Sequence, residues 1–95
     1  MDKNDISIQL LALIYKLERY ASFPTNTLLQ RISDSLDKVL YDARQNTVLF
    51  NSLLDVREQF EHIQDNYISN FYPIRVSIQH ILRNLDGAKP ILRFN

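Results

Sequence analysis

The chain has no cysteine, no tryptophan, one glycine and three prolines in 95 residues. Each shortage narrows what the protein can be. Without cysteine there is no disulfide framework, no thiolate metal site and no thiol nucleophile. Secreted domains this small ordinarily depend on disulfides, so their absence points to a cytoplasmic protein. One glycine cannot build a phosphate-cradling loop. No apolar run reaches the roughly 20 residues that a membrane-spanning helix needs. The longest apolar stretch opens at Ile6 and closes at Tyr15, between Asp5 and Lys16. It lacks a basic leader and a small-residue cleavage site, which argues against a secretory signal.

A charge excess is missing too. Eleven Lys and Arg balance eleven Asp and Glu. Nucleic-acid binders carry a basic excess because phosphate neutralisation dominates their affinity, so nucleic acid is not the expected partner. The balance is uneven along the chain, however. Asp55 to Asp65 holds four carboxylates and one arginine, whereas from Asn66 onward Arg75, Arg83, Lys89 and Arg93 meet only Asp86. The last third is basic. This length allows one core, burying roughly 60–65% of the unfolded surface, and a monomer is the expected state.

What the sequence does contain is helical periodicity. Apolar residues recur at alternating spacings of three and four, in sets that each line one helical face. The first set is Ile6, Leu10, Leu13, Leu17 and Tyr20, widened by Leu11 and Ile14. The second is Leu29, Ile32, Leu36, Val39 and Ala43, with Leu28 and Leu40 beside it. The third runs through Leu49, Leu53, Val56, Phe60, Ile63 and Tyr67, and the fourth through Phe71, Ile74, Ile78, Ile81 and Leu85. No useful length alternates with the period of a strand.

The ends of these sets carry helix signals. Asn4 and Asp5 are candidate caps for the first helix, Thr25 or Asn26 for the second, Asn46 for the third and Asn70 for the fourth. Gly87 suits the left-handed position after the fourth helix, and Pro90 forbids its continuation. Pro73 fits the first turn of the fourth helix, where its missing N–H costs nothing; one long helix kinked there is the alternative. Helices are expected at about 5–21, 26–45, 47–66 and 70–86, with a tail at 87–95. Short connections make successive helices antiparallel, so the expected fold is all-α, an up-down four-helix bundle in one domain with a C-terminal tail.

Catalytic chemistry finds little support. Glu58, His62 and Asp65 share a helical face that a metal ion could use in principle, but a solvated face of charge pairs is the simpler account. His80 borders the fourth stripe without joining it, and Asp34, Asp37 and Asp42 read as solubility residues. No Glu-x-x-His motif of a two-metal bundle occurs. Neither an enzyme, a metal nor a cofactor is expected. Arg75, Gln79, Arg83 and Asn84 form a polar, basic stripe on the fourth helix that fits a protein or membrane-surface contact better than DNA. Phe60, Tyr67, Phe71 and Tyr20 hold stripe positions and read as core; Tyr41, Phe50, Tyr72, Phe23 and Phe94 fall at the edges.

Three features carry a family resemblance. They are the run Leu10-Leu11-Ala12-Leu13-Ile14-Tyr15, the pattern Leu28-Leu29-Gln30-Arg31-Ile32 through Leu36-Asp37-Lys38, and a fourth helix followed by a glycine-containing, partly apolar end. Together with size and absent cysteines, they make the chain resemble the bacteriocin immunity proteins of lactic acid bacteria and streptococci. The similar branch is the pediocin-like one typified by the enterocin A immunity protein. The resemblance implies a cytoplasmic four-helix bundle that protects its producer without catalysis. It also implies a partner: the mannose phosphotransferase permease that serves the toxin as membrane receptor, with or without bound toxin, and possible peripheral association with the membrane. Specificity in such proteins lies mainly in the C-terminal half. Here that region includes Arg75, Arg83, Lys89, Ile91, Leu92, Arg93 and Phe94, the same basic third found by counting charges.

Overall fold

The computed structural model describes residues 2–65 and 71–85. The expected tail at 87–95, the Gly87 stop, the Asn70 cap and the stripe position Tyr67 lie outside these residues, as do the side chains of Ile63 and Asp65. Four helices account for most of what is described: α1 (Lys3–Ser22), α2 (Asn26–Asp42), α3 (Thr47–Asp65) and α4 (Tyr72–Leu85). Among the described residues there is no strand.

Local chemistry sets the helix ends, and two differ from expectation. The cap of α1 is Asp2, not Asn4 or Asp5: its Oδ1 accepts the Asn4 N–H at 2.9 Å, and its carbonyl accepts the Ile6 N–H at 3.1 Å. Ile6 is the first buried residue, so the turn carrying it must already be helical. That pushes the cap upstream and leaves Asp5 inside the first turn, where the helix dipole favours its charge. The second difference is the end of α2, at Asp42 instead of residue 45. After Ala43, which buries its methyl group, the bonds tighten to three-residue steps: Arg44 N–H to Tyr41 O and Asn46 N–H to Ala43 O. Tightening of this kind is how a last turn satisfies carbonyls that the helix leaves open.

The caps of α2 and α3 follow the sequence. Thr25 Oγ1 accepts the Leu28 N–H and Asn46 Oδ1 accepts the Leu49 N–H, each at 3.1 Å. In α4 the Phe71 carbonyl accepts the Arg75 N–H at 3.0 Å, and Pro73 sits in the first turn, where its absent donor is not missed.

Each helix packs on its neighbours in sequence, and α4 closes the ring against α1. Cross-helix contacts show that neighbours run antiparallel. Gln9 near the start of α1 reaches Asp42 at the end of α2, whereas Lys16 further along α1 reaches Ser35 further back on α2. Between α3 and α4, Gln59 meets Ser77, and Ser52 and Ile81 line one groove. Between α4 and α1, Arg75 faces Glu18. The molecule is an all-α four-helix bundle.

Its core draws on all four stripes and adds Leu82, which none of them held: Ile6, Leu10, Leu13 and Leu17; Ile32, Leu36, Val39 and Leu40; Leu49, Leu53, Val56 and Phe60; Ile74, Ile78, Ile81 and Leu82. Burying each aliphatic side chain of this kind contributes about 1.5–3 kcal/mol. Among the described residues no polar side chain is buried with them. One end of the core is aromatic. Phe71 meets Tyr20 edge-to-face at 5.3 Å between ring centres and stacks on Phe60 at 6.4 Å, joining the end of α1, the body of α3 and the start of α4.

Candidate binding surface

The basic stripe expected on α4 separates once the helix is packed. Arg75 turns towards α1, where its guanidinium lies 3.6 Å from the Glu18 carboxylate and its side chain stays only 35% exposed. Its Nε is buried without a hydrogen-bond partner. Asn84 turns the other way and lines a groove with Lys3, Asn46, Leu49 and Ser52. Gln79 and Arg83 remain exposed, beside Tyr72, Val76 and His80. Of the residues expected to meet a partner, the structure therefore describes Arg75 and Arg83. It exposes Arg83 and ties Arg75 to the bundle. Lys89, Ile91, Leu92, Arg93 and Phe94 lie outside the described residues.

Two carboxylates that read as solubility residues hold helices together. Asp42 accepts from Gln9 Nε2 of α1 at 2.7 Å and from Lys38 Nζ, one turn back on α2, at 2.8 Å. The Lys38 bond above all, then the Gln9 bond, hold its carboxyl below the ordinary carboxylate value of 3.8. Asp37 pairs with Arg57 of α3, which also approaches Glu61 at 3.7 Å. Only Asp34 stays local, accepting from Gln30 one turn away.

Among the described residues, open grooves of small-molecule size lie between helices. One of about 280 Å³ lies between α3 and α4, lined by Asp55, Gln59, Val76, Ser77 and His80 among others. Another of about 280 Å³ lies where α1 begins and α2 ends, with Asp2, Asp5, Asp42 and Arg44 on its walls. Among the described residues no three His, Asp or Glu side chains gather as a metal would need. Nor is any helix among them long and apolar enough to cross a membrane.

The surface that sequence reasoning missed is the outer side of α1. Leu11 was expected to widen the core stripe; it is 58% exposed, with Ile8 at 64% and Tyr15 at 59%. At 3.6 residues per turn, Ile8, Leu11 and Tyr15 lie one above another, opposite the buried Ile6, Leu10, Leu13 and Leu17. The available signal was a second run of three-and-four spacings interlaced with the first. Scattered exposed apolar residues are ordinary; these three are aligned on one face of one helix. Set against family models, curated proteins and solved structures, the chain matches none of them.

Proposed function

We propose that this protein is a bacteriocin immunity protein that protects its producer from a pediocin-like or related toxin by binding, not by catalysis. It acts in the cytoplasm, at the inner side of the membrane receptor–toxin complex, and the receptor is the mannose phosphotransferase permease. The observation that carries this reading is the layout of the sequence, from the run Leu10–Tyr15 to a basic, partly apolar end, borne by a four-helix bundle as the resemblance requires. Exposed Arg83 on α4 and, beyond it, Lys89, Ile91, Leu92, Arg93 and Phe94 form the proposed contact surface; Arg75 supports it from the α1 side through Glu18. Arginine is among the residues enriched where binding energy concentrates, which favours Arg83 and Arg93 as contacts.

The test is expression in a sensitive strain challenged with a panel of bacteriocins. Raised tolerance to at least one member is expected, and unchanged killing by all of them overturns the reading. Deleting residues 89 to 95 should abolish protection while leaving the helical circular-dichroism signal in place. Complete unfolding on deletion would make that segment part of the core and not a contact surface.

A second reading, a helical adaptor or regulatory subunit that binds another protein, is favoured by the outer stripe of α1. Ile8, Leu11 and Tyr15 belong to the part of the chain outside the proposed specificity region. If Leu11→Glu abolishes biological activity while deletion of 89 to 95 does not, the adaptor reading replaces the first.

A further inference from the structure

We infer that the outer face of α1 binds a second copy of this chain, the two α1 helices lying antiparallel across a two-fold axis between residues 11 and 12. The stripe itself is the first ground. Ile8 and Tyr15 lie at nearly equal distances on either side of Leu11 and Ala12, so a perpendicular two-fold places Ile8 of each copy against Tyr15 of the other. Leu11 then meets its own counterpart, and the small exposed Ala12 beside it lets the helices approach closely.

The charges on one flank select this occupant. Asp5, Ala12 and Arg19 are spaced by seven residues and so share one edge of the stripe. A two-fold perpendicular to the helix returns each flank to the same side and reverses its height. Asp5 of one copy therefore meets Arg19 of the other, twice per dimer. Both residues are exposed, and neither has an ion-pair partner among the described residues. A parallel arrangement would set this edge against the partner's opposite edge at equal height, where Asp5 of one copy cannot meet Arg19 of the other. A lipid surface would call for a basic rim, whereas this edge carries one charge of each sign.

The size of the patch sets the strength. Side chains of this kind offer roughly 150–200 Å² each when free, so three of them somewhat more than half exposed provide on the order of 300–400 Å² of apolar area per copy. A stable dimer buries about 800 Å² per partner, so an association through this smaller patch is weak and reversible. This inference is independent of the immunity reading, since the stripe lies outside the region proposed to meet the toxin receptor.

Sedimentation velocity of the full chain from about 5 µM to 1 mM is the first measurement, with a rise from monomer towards dimer expected as the concentration increases. A monomer throughout overturns the proposal and leaves the stripe to another occupant. Asp5→Arg should weaken the dimer roughly ten-fold by setting like charges together, and Asp5→Arg with Arg19→Asp should restore it. Failure of the double variant to restore a dimer, with helix content intact, overturns the pairing. Orientation is read separately, because the chain has no cysteine of its own. Ala12→Cys, beside the axis, should cross-link to itself under mild oxidation, while Ser22→Cys at the end of α1 should not. Self-linking at Ser22→Cys without linking at Ala12→Cys overturns the antiparallel arrangement even if a charge variant folds poorly.

Discussion

Helices α1 and α2 are packed against each other and each buries four large aliphatic side chains, yet their outer faces have opposite characters. On α2 the outward positions carry Gln30, Asp34, Asp37 and Lys38, joined along the helix or to α3 by hydrogen bonds and ion pairs, with Tyr41 the one large apolar side chain among them, its ring under the Arg44 guanidinium. On α1 the outward positions carry Ile8, Leu11 and Tyr15. The inner faces are alike because the same core demands them. The outer faces are free of that demand, and α2 fills its own mainly with polar residues that pair along the helix or across to α3. The departure on α1 is therefore the more informative of the two about binding.

Adjacent residues break this comparison most sharply. Leu10→Ala, on the inner face, should cost about 2–5 kcal/mol in chemical denaturation, and Leu36→Ala on α2 a similar amount, because each empties a closed site. If Leu11→Ala costs as much as Leu10→Ala, the two faces of α1 are not distinct. Thr25→Ala should come next, at about 1 kcal/mol, by removing the side-chain acceptor at the start of α2. Leu11→Ala itself should stay within about 0.5 kcal/mol when measured at concentrations where the chain is a monomer.

Smallest of all is the acid response of the α1–α2 contact through Asp42. Its carboxyl titrates below the ordinary value of 3.8, chiefly because Lys38 donates to it, so the folded state favours the charged form. A depressed folded value contributes stability that is complete above the unfolded value and lost as pH falls through the folded one. The difference in melting temperature between wild type and Asp42→Asn should persist at pH 5 and fade only as the pH drops below 3.8. A difference that vanished already between pH 7 and 5 would assign it to some other group.

The stripes were readable because a bundle core imposes one period on every helix, and sixteen of its buried positions follow it from Ile6 to Ile81, with Leu82 the buried residue that no stripe held. Leu11 was misread for the same reason. Two interlaced stripes obey a single period, and only packing says which one faces inward. Asp37 and Asp42 looked like solvated carboxylates because their partners, Arg57 and Gln9, come from other helices, and sequence spacing carries no information across helices. The cap of α1 failed on position alone: Asp2, Asn4 and Asp5 all offer an acceptor, and the burial of Ile6 chose among them. On α4 the four residues do not make one stripe: Arg75 and Asn84, nine residues apart, fall on opposite sides of the helix, one against Glu18 of α1 and the other in a groove beside α3.

The two polar contacts between α1 and α2 have a use that their strength does not suggest. Gln9 to Asp42 and Lys16 to Ser35 are separated by two turns on both helices. Leucine ridges can slide by one turn and still find a groove, since one aliphatic side chain fills a hole much as another does. These two bonds cannot slide. A shift of one turn breaks both at once and leaves a carboxylate, an amide and an ammonium facing the wrong residues. The weakest interactions at this seam thus act as a key, admitting one alignment of two otherwise interchangeable surfaces.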